Sequence, residues 1–311
     1  MEIPLTPPNK TQFCGAIALL GRPNAGKSTL LNALIGQKIA GVSKKPQTTR
    51  NRILGIVTRS DHQMLVLDTP GIHKTEGLKR LNRMMVREAY RVLDEACATA
   101  YLVDVVAGFT DKDKLFLERV REATKEPVVI FVSQVDKKPK SFVEERYKSV
   151  KKAILEAGFS FPCYRLSAKR AESLEEFFTI MSKSLPESPF IYAKDDMTDR
   201  SQKFVVSELI RETMFRCLGQ EIPYHAASVI EGYSETENLV RIDAAIVVSR
   251  ETQKGMVVGK RGVKIKEIGQ ISRENIEAMV GKKVFLNLHV KVENRWVDEK
   301  AAITELLELP K

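Results

Sequence analysis

Cysteine is scarce and scattered in this 311-residue chain. Cys14, Cys97, Cys163 and Cys217 fall in no paired spacing, which excludes a disulfide scaffold or a cysteine metal site and fits a reducing cytosol. No apolar run is long enough to span a bilayer, and the first ten residues lack the basic start and apolar stretch of a secretory signal. Residues 1–12 read instead as a disordered lead. No cluster of carboxylates and histidines marks a general acid–base site.

What is present is enough chain for two folded units. Hydrophobic residues make up 43% and charged residues 29%, a balance that suits a globular protein with a full core. The net charge of +10 lies entirely in residues 1–190, while residues 191–311 balance to zero. An anionic partner is expected, and any nucleic-acid site in the second half must be a local patch.

The most informative stretch is Cys14–Asn32. An apolar run, Ala16 to Leu20, ends at Gly21, and Arg22-Pro23-Asn24-Ala25-Gly26-Lys27-Ser28-Thr29 leads into a helical pattern through Leu30, Leu31 and Leu34. This is strand, glycine-rich turn and helix with the spacing G-x-x-x-x-G-K-S of a phosphate-binding loop. Its N–H groups and the helix N-terminus can hold a polyphosphate. Lys27 would reach the β- and γ-phosphates and Ser28 would bind Mg²⁺.

Residues 38–52 form a polar, basic connection that would be a solvated loop if taken alone. Beside a phosphate site, a threonine here can close over the γ-phosphate and ligate Mg²⁺. Thr48 and Thr49 are the candidates, Thr49 the preferred one. Ile53–Thr58 and Gln63–Leu67 read as a hairpin. The second run ends in Asp68-Thr69-Pro70-Gly71, where the carboxylate can hold Mg²⁺ through water and the Gly71 N–H can meet a γ-phosphate oxygen. Ile72 follows, and an isoleucine can neither donate nor accept a hydrogen bond to orient an attacking water, so intrinsic hydrolysis should be slow. Residues 74–94 read as a helix whose basic face, Lys74 to Arg91, is solvated.

Strand and helix alternate onward, with strands at Ala98–Val106 and Pro127–Val132 and a helix at Asp111–Thr124, which predicts a parallel sheet covered on both faces. The last strand runs into Ser133-Gln134-Val135-Asp136. Asp136 can accept from guanine N1–H and the 2-amino group, which adenine lacks. Backbone N–H groups of Ser167-Ala168-Lys169 can meet guanine O6. A helix from Leu174 ends near Leu185, and residues 187–200 are expected to link the two domains.

The second unit begins with a helix at Ser201–Leu218 and strands near His225–Glu231 and Leu239–Val248. Then come Val257-Val258-Gly259-Lys260-Arg261-Gly262 and Lys264, Ile265 and Ile268. Glycines three apart before a helix let the backbone approach a nucleic acid, Lys260 and Arg261 can meet phosphates, and Val257, Ile265 and Ile268 are expected to form a groove for unstacked bases. Residues 250–291 carry 10 basic and 4 acidic side chains, a local positive patch. Val284–Val292 reads as a strand, and Trp296 with Leu306 and Leu307 is expected to pack a last helix onto the core.

Taken together, Gly21–Ser28, Gln47-Thr-Thr-Arg50, Asp68–Gly71, Ser133–Asp136, Ser167–Lys169, Gly259–Gly262 and Lys283–Val292 resemble the bacterial Era GTPase family over nearly the whole chain. The resemblance implies a Ras-like α/β P-loop domain, doubly wound and mostly parallel, over 13–186, followed by an α+β type II KH domain over 201–311. It implies GTP hydrolysis with Mg²⁺, binding of the 3′ end of small-subunit ribosomal RNA, and a role in 30S subunit assembly. Peripheral contact of this cytoplasmic protein with the inner membrane is implied by the resemblance alone, while a monomer is expected because no heptad or long apolar edge argues against one. By match, Gly21–Thr29, Asp68–Ile72 and Ser133–Asp136 line the nucleotide, with Lys27, Thr49 and Gly71 acting on the γ-phosphate. Asn24 matches the residue that coordinates K⁺ in some GTPases lacking the glutamine that orients the attacking water.

One motif departs from the family. Its base-reading Asn-Lys-x-Asp is here Ser133-Gln134-Val135-Asp136. The missing asparagine would bond guanine N7 and steady the loop, and the missing lysine would pack over the base. Losing one or two bonds of about 1 kcal/mol each predicts about five- to thirty-fold weaker binding. The alternative is therefore a constitutive RNA-binding assembly factor with a weakened nucleotide site. An enzyme acting on RNA itself is disfavoured by the missing acid–base cluster.

Overall fold

The computed structural model describes residues 11–43, 45, 50–69, 79–219, 221–294 and 296–306. The candidates Thr48, Thr49, Pro70, Gly71 and Ile72, with Gln47 and Leu307, lie outside them.

The first domain is built on strands β1 (Phe13–Gly21), β2 (Ile53–Arg59), β3 (His62–Asp68), β4 (Ala96–Asp104), β5 (Val128–Ser133) and β6 (Cys163–Arg165). They form one sheet in the order β2-β3-β1-β4-β5-β6. Only the β2–β3 hairpin pairs antiparallel. Helices α1 (Lys27–Ile35), α2 (Lys79–Glu95), α3 (Asp111–Ala123), α4 (Lys140–Glu156) and α5 (Ala171–Ser182) connect the strands. β1 is apolar throughout because it is covered on both sides. Ile17 and Leu19 pack with α1 and α5, and the alternate residues Ala18 and Leu20 pack with α3 and α4.

Gln12 is fastened rather than part of a free lead, since it accepts from the Ser188 and Phe190 backbone N–H groups at 2.9 and 3.2 Å. Residues 187–200 are not a free linker. The Gln63 side chain, wholly buried in β3, accepts from the Ile191 and Tyr192 N–H groups and donates to the Tyr192 carbonyl. The Ile56 N–H donates to Met197 O at 2.9 Å, which straps the segment along the outer edge of β2.

The second domain comprises α6 (Gln202–Cys217), β7 (Ala226–Glu235), β8 (Leu239–Val248), α7 (Glu251–Val258), α8 (Val263–Val280), β9 (Lys283–Val292) and α9 (Lys300–Leu306). Its sheet runs β7-β8-β9, antiparallel then parallel. Helices α6 and α8 cover one face. Trp296, Val297 and Ile303 cover part of the other, together with Met85 of α2. Among the described residues no helix is long and apolar enough to cross a membrane.

Helix α6 joins the domains. Between Phe204 and Phe215 every residue but the half-buried Ser207 is buried, as expected of a helix enclosed on all sides. Phe204 and Val205 enter the first domain's core, and Val206, Leu209 and Ile210 enter that of the second.

The buried polar residues of α6 are Glu208, Arg211, Glu212 and Thr213. Arg211 pairs with Glu208 within the helix, Nε to Oε1 at 2.8 Å.

The basic connection 38–52 is fastened to this second domain. Lys38 pairs with Glu212 at 2.8 Å, and Lys45 donates to Leu218 O at 2.6 Å. Arg50 is 1% exposed, and its guanidinium donates to the carbonyls of Pro223, Tyr224 and Ala226 at 2.8–3.0 Å. It lies over the rings of Phe215 and Trp296, about 6 Å from each centroid. Burial, and then the nearby Arg211 charge, lowers its pKa to about 9, so the side chain remains a cation at neutral pH.

Candidate nucleotide site and RNA-binding loop

The phosphate loop lies at the C-terminal end of β1, where a doubly wound sheet places its ligands. Asn24 and Gly26 both have positive φ, 64° and 96°. Gly26 meets that requirement without a Cβ penalty, and α1 starts directly after it. Lys27 is buried and folds back so that Nζ donates to Gly21 O and Arg22 O at 3.0 and 3.2 Å. Burial lowers its pKa, and the Asp68 charge works against that shift. Arg22 reaches across to α3 and donates to Thr110 Oγ1 and Asp113 Oδ2.

Asp68 ends β3 beside this loop. Its Oδ2 accepts from the Ser28 hydroxyl at 2.6 Å, while its buried Oδ1 has no partner among the described residues. Burial pushes its pKa up to about 6, against the Lys27 charge and the Ser28 hydrogen bond. A hydroxyl and a carboxylate with one unpaired oxygen are a hard-oxygen donor set that fits Mg²⁺. Thr69 is buried, and its hydroxyl donates to Leu19 O at 3.2 Å, so it braces the strand end rather than facing a ligand.

At the base-reading end, Asp136 Oδ1 accepts from the Ser167 hydroxyl at 2.8 Å, and Lys169 Nζ lies 3.4 Å from Oδ2. Burial works to raise the Asp136 pKa, but the Ser167 hydrogen bond and the Lys169 contacts outweigh it and hold the carboxyl below its usual range. Asp136 is therefore ionised and able to accept from two guanine N–H groups. The expectation for Ser167–Lys169 narrows to one residue. The Ser167 N–H is taken by Ser173 Oγ at 2.9 Å and the Lys169 N–H by Ser167 Oγ at 3.3 Å. Of the three, the Ala168 N–H is the one not engaged by Ser167 or Ser173.

Ser133 and Gln134 are both engaged. The Ser133 hydroxyl lies 2.6 Å from Ala25 O and 3.2 Å from Val103 O. Gln134 Nε2 donates to Asn24 O at 2.7 Å and to Asp104 Oδ2 at 2.8 Å. Val135, the next residue, packs against the sheet's second core cluster.

A cleft of about 890 Å³ opens over the phosphate loop. Asn24, Lys27, Ser28 and Gln134 line it from the first domain, and Glu212 and Arg216 of α6 close it from the second. Sequence reading placed no residue of the second domain here, because the fold alone brings α6 to the cleft.

In the second domain, the turn between α7 and α8 holds Gly259, Arg261 and Gly262 at φ of 71°, 53° and 77°. A Cβ on Gly259 would lie 2.7 Å from Lys264 Cβ, so the tight turn requires glycine. Lys260 and Arg261 are exposed, whereas Lys264 is half-buried and paired with Glu267 at 2.7 Å. The expected apolar groove needs correction. Val257 and Ile268 are fully buried in the domain core, and Ile265 and Val258 pack against them. The helices turn these residues toward the sheet, and the exposed apolar side chains flanking the turn are Met256 and Val263.

A divalent cation held through Asp68 would require that carboxyl ionised, so the Mg²⁺-dependent part of nucleotide affinity is expected to be complete above neutral pH and to fall as pH drops through about 6. Titration of Mg²⁺ against the GDP-bound protein at about pH 7.5 and about pH 5 checks this, and Asp68→Asn should remove the pH dependence along with most of the Mg²⁺ effect.

Comparison with known proteins agrees with this arrangement. A family described as 50S ribosome-binding GTPase matches residues 16–134, and the KH domain family matches residues 221–297. GTPase Era of Stenotrophomonas maltophilia is 41% identical over 292 residues, covering 93% of this chain and 95% of the relative. GTPase Era of Coxiella burnetii is 39% identical over 302 residues, covering 96% and 98%. A crystal structure of Era in complex with MgGDPNP and nucleotides 1506–1542 of 16S ribosomal RNA superposes with a TM-score of 0.87 at 30% identity, over 96% of this chain and 100% of that one. An Aquifex aeolicus Era variant bound to GDP and aluminium fluoride gives 0.88 at 30% identity over the same shares. With identity at this level along nearly its full length, in both domains and in this order, the chain belongs to the GTPase Era family.

Proposed function

We propose that this chain is a GTP-hydrolysing switch that grips the 3′ end of small-subunit ribosomal RNA through its KH domain and acts in 30S assembly. The observation that carries the reading is the shared cleft: α6 of the RNA-binding domain walls the nucleotide site, and segment 38–52 is fastened to that same domain. A threonine that moves to the γ-phosphate must pull on Arg50, its neighbour in the chain, and so on the KH domain. The alternative of a decayed nucleotide site is not favoured, since the phosphate loop keeps its turn, Lys27 and Ser28 line the cleft, and Asp68 stands beside Ser28 with one carboxylate oxygen unpaired among the described residues.

In the cycle, Asp136 and the Ala168 N–H select guanine, and the loop N–H groups and Lys27 hold the phosphates. Water attacks the γ-phosphorus, the bond to the β–γ bridging oxygen breaks, and GDP and phosphate leave with no covalent intermediate. Ser28 and Thr49, with Asp68 through water, would hold Mg²⁺, which would supply neutralising charge to the phosphate oxygens. Charge stabilisation by Lys27 and the Gly71 N–H lowers the barrier. Asn24 lines the cleft where K⁺ would add the positive charge that an arginine finger provides elsewhere. We place the cycle in the cytoplasm with the assembling subunit, with peripheral contact to the inner membrane carried as part of the proposal.

Charge reversal at the exposed turn, Lys260→Asp with Arg261→Asp, is expected to weaken binding of an rRNA 3′-end oligonucleotide at least tenfold while leaving GTP affinity intact. Fluorescence anisotropy measures both, and unchanged RNA affinity would remove this turn from the account. Phosphate release is expected to be faster in KCl than in NaCl at equal ionic strength; equal rates would reject the K⁺ role of Asn24.

A further inference from the structure

The two residues that depart from the family motif sit against two consecutive carbonyls of the phosphate loop. Ser133 Oγ carries a single proton, and at 2.6 Å Ala25 O is its nearer acceptor. Gln134 Nε2 carries two, which go to Asn24 O and Asp104 Oδ2. Gln134 Oε1 in turn accepts from Lys137 Nζ. This network sets the orientation of the amide, since a flipped Gln134 would point its oxygen at two acceptors and its nitrogen at an ammonium. Asp104 is held by its other oxygen, Oδ1, which accepts from the Val106 and Ala107 N–H groups at 2.6 and 3.2 Å. The stem of Gln134 lies against Gly26, 3.6 Å from where a Cβ would stand.

A peptide plane fixes more than its carbonyl. Because the peptide is trans, holding Ala25 O toward Ser133 turns the Gly26 N–H the opposite way. Holding Asn24 O against Gln134 likewise fixes a residue that already sits at a positive φ of 64°, a conformation that needs support from its surroundings when the residue is not glycine. Both constraints act on the segment whose N–H groups would surround a polyphosphate.

We propose that Ser133 and Gln134 form a neutral two-point clasp that preorganises the phosphate loop, with Gln134 a positioning residue for nucleotide binding that acts through its amide donor. The departure from Asn-Lys-x-Asp thus preserves the loop tether with different chemistry, and base selection stays with Asp136. The inference rests on the nucleotide-binding reading above.

The test is equilibrium binding of Mg·GDP and Mg·ADP to the full chain and its variants. Gln134→Ala removes one well-formed donor and is expected to weaken GDP binding about fivefold. Gln134→Glu keeps the shape but sets a carboxylate against Asn24 O and Asp104, and is expected to weaken binding more than alanine does. Gln134→Lys restores a donor and should return affinity to within about threefold of the parent. In the alanine and lysine variants the preference for GDP over ADP should be unchanged. A space-filling role predicts that glutamate binds like glutamine, and that result would overturn the proposal, as would an unchanged affinity in the alanine variant. Thermal melting without nucleotide checks that each variant folds. Should the glutamate variant unfold, Ser133→Ala supplies the second measurement, with a similar loss expected and no loss counting against the clasp. A parent protein that binds neither nucleotide would instead defeat the nucleotide reading itself.

Discussion

A guanidinium taken out of water holds the two domains of this protein in register. Arg50 leaves the first domain, passes between Phe215 and Trp296, and finds three carbonyl acceptors around the start of β7. Those acceptors carry only partial charge, so the cation is solvated by the backbone, with the Glu208 charge favouring it and the Arg211 charge opposing it. Such a site tolerates little displacement: a shift of about an ångström would leave a buried charge short of partners, at a cost of several kcal/mol. The connection that carries Arg50 is consequently tied to the position of the KH domain.

The nucleotide site is arranged around the same economy of buried charge. Lys27 is parked on loop carbonyls and Asp68 on the Ser28 hydroxyl, and burial disfavours the charged form of both. A polyphosphate with its metal would bring a counter-charge to each of them. Because α6 closes the cleft on one side and forms part of the KH core on the other, a ligand in the cleft would bear on both domains. Coupling of this kind is reciprocal: whatever nucleotide does to RNA affinity, RNA does to nucleotide affinity.

Much of this was legible in the sequence because short-range chemistry dictated it. The spacing of Gly21, Gly26, Lys27 and Ser28 between an apolar run and a helical pattern located the phosphate site, and the glycines at 259 and 262 located the exposed turn. What was not legible depended on partners far along the chain. Arg50 read as one more basic residue of a polar loop, because its acceptors lie more than 170 residues away. Val257 and Ile268 read as a groove because they flank the glycine turn, yet the helical period turns them inward. Helix α4 escaped notice behind its many charged residues, with only Val143, Val150 and Ile154 buried. Ser133 and Gln134 read as losses, since nothing local in the sequence shows which loop carbonyls their side chains meet.

The most direct measurement is the affinity of the full chain for an rRNA 3′-end oligonucleotide in the presence of a non-hydrolysable GTP analogue and of GDP, in the parent protein and in Arg50→Lys. The account predicts tighter RNA binding with the GTP analogue, by a factor within the usual allosteric range of about 5 to 150, and a ratio that falls toward one when lysine replaces the guanidinium fork. Equal RNA affinity in the two nucleotide states of the parent protein, or an undiminished ratio in Arg50→Lys, would contradict it.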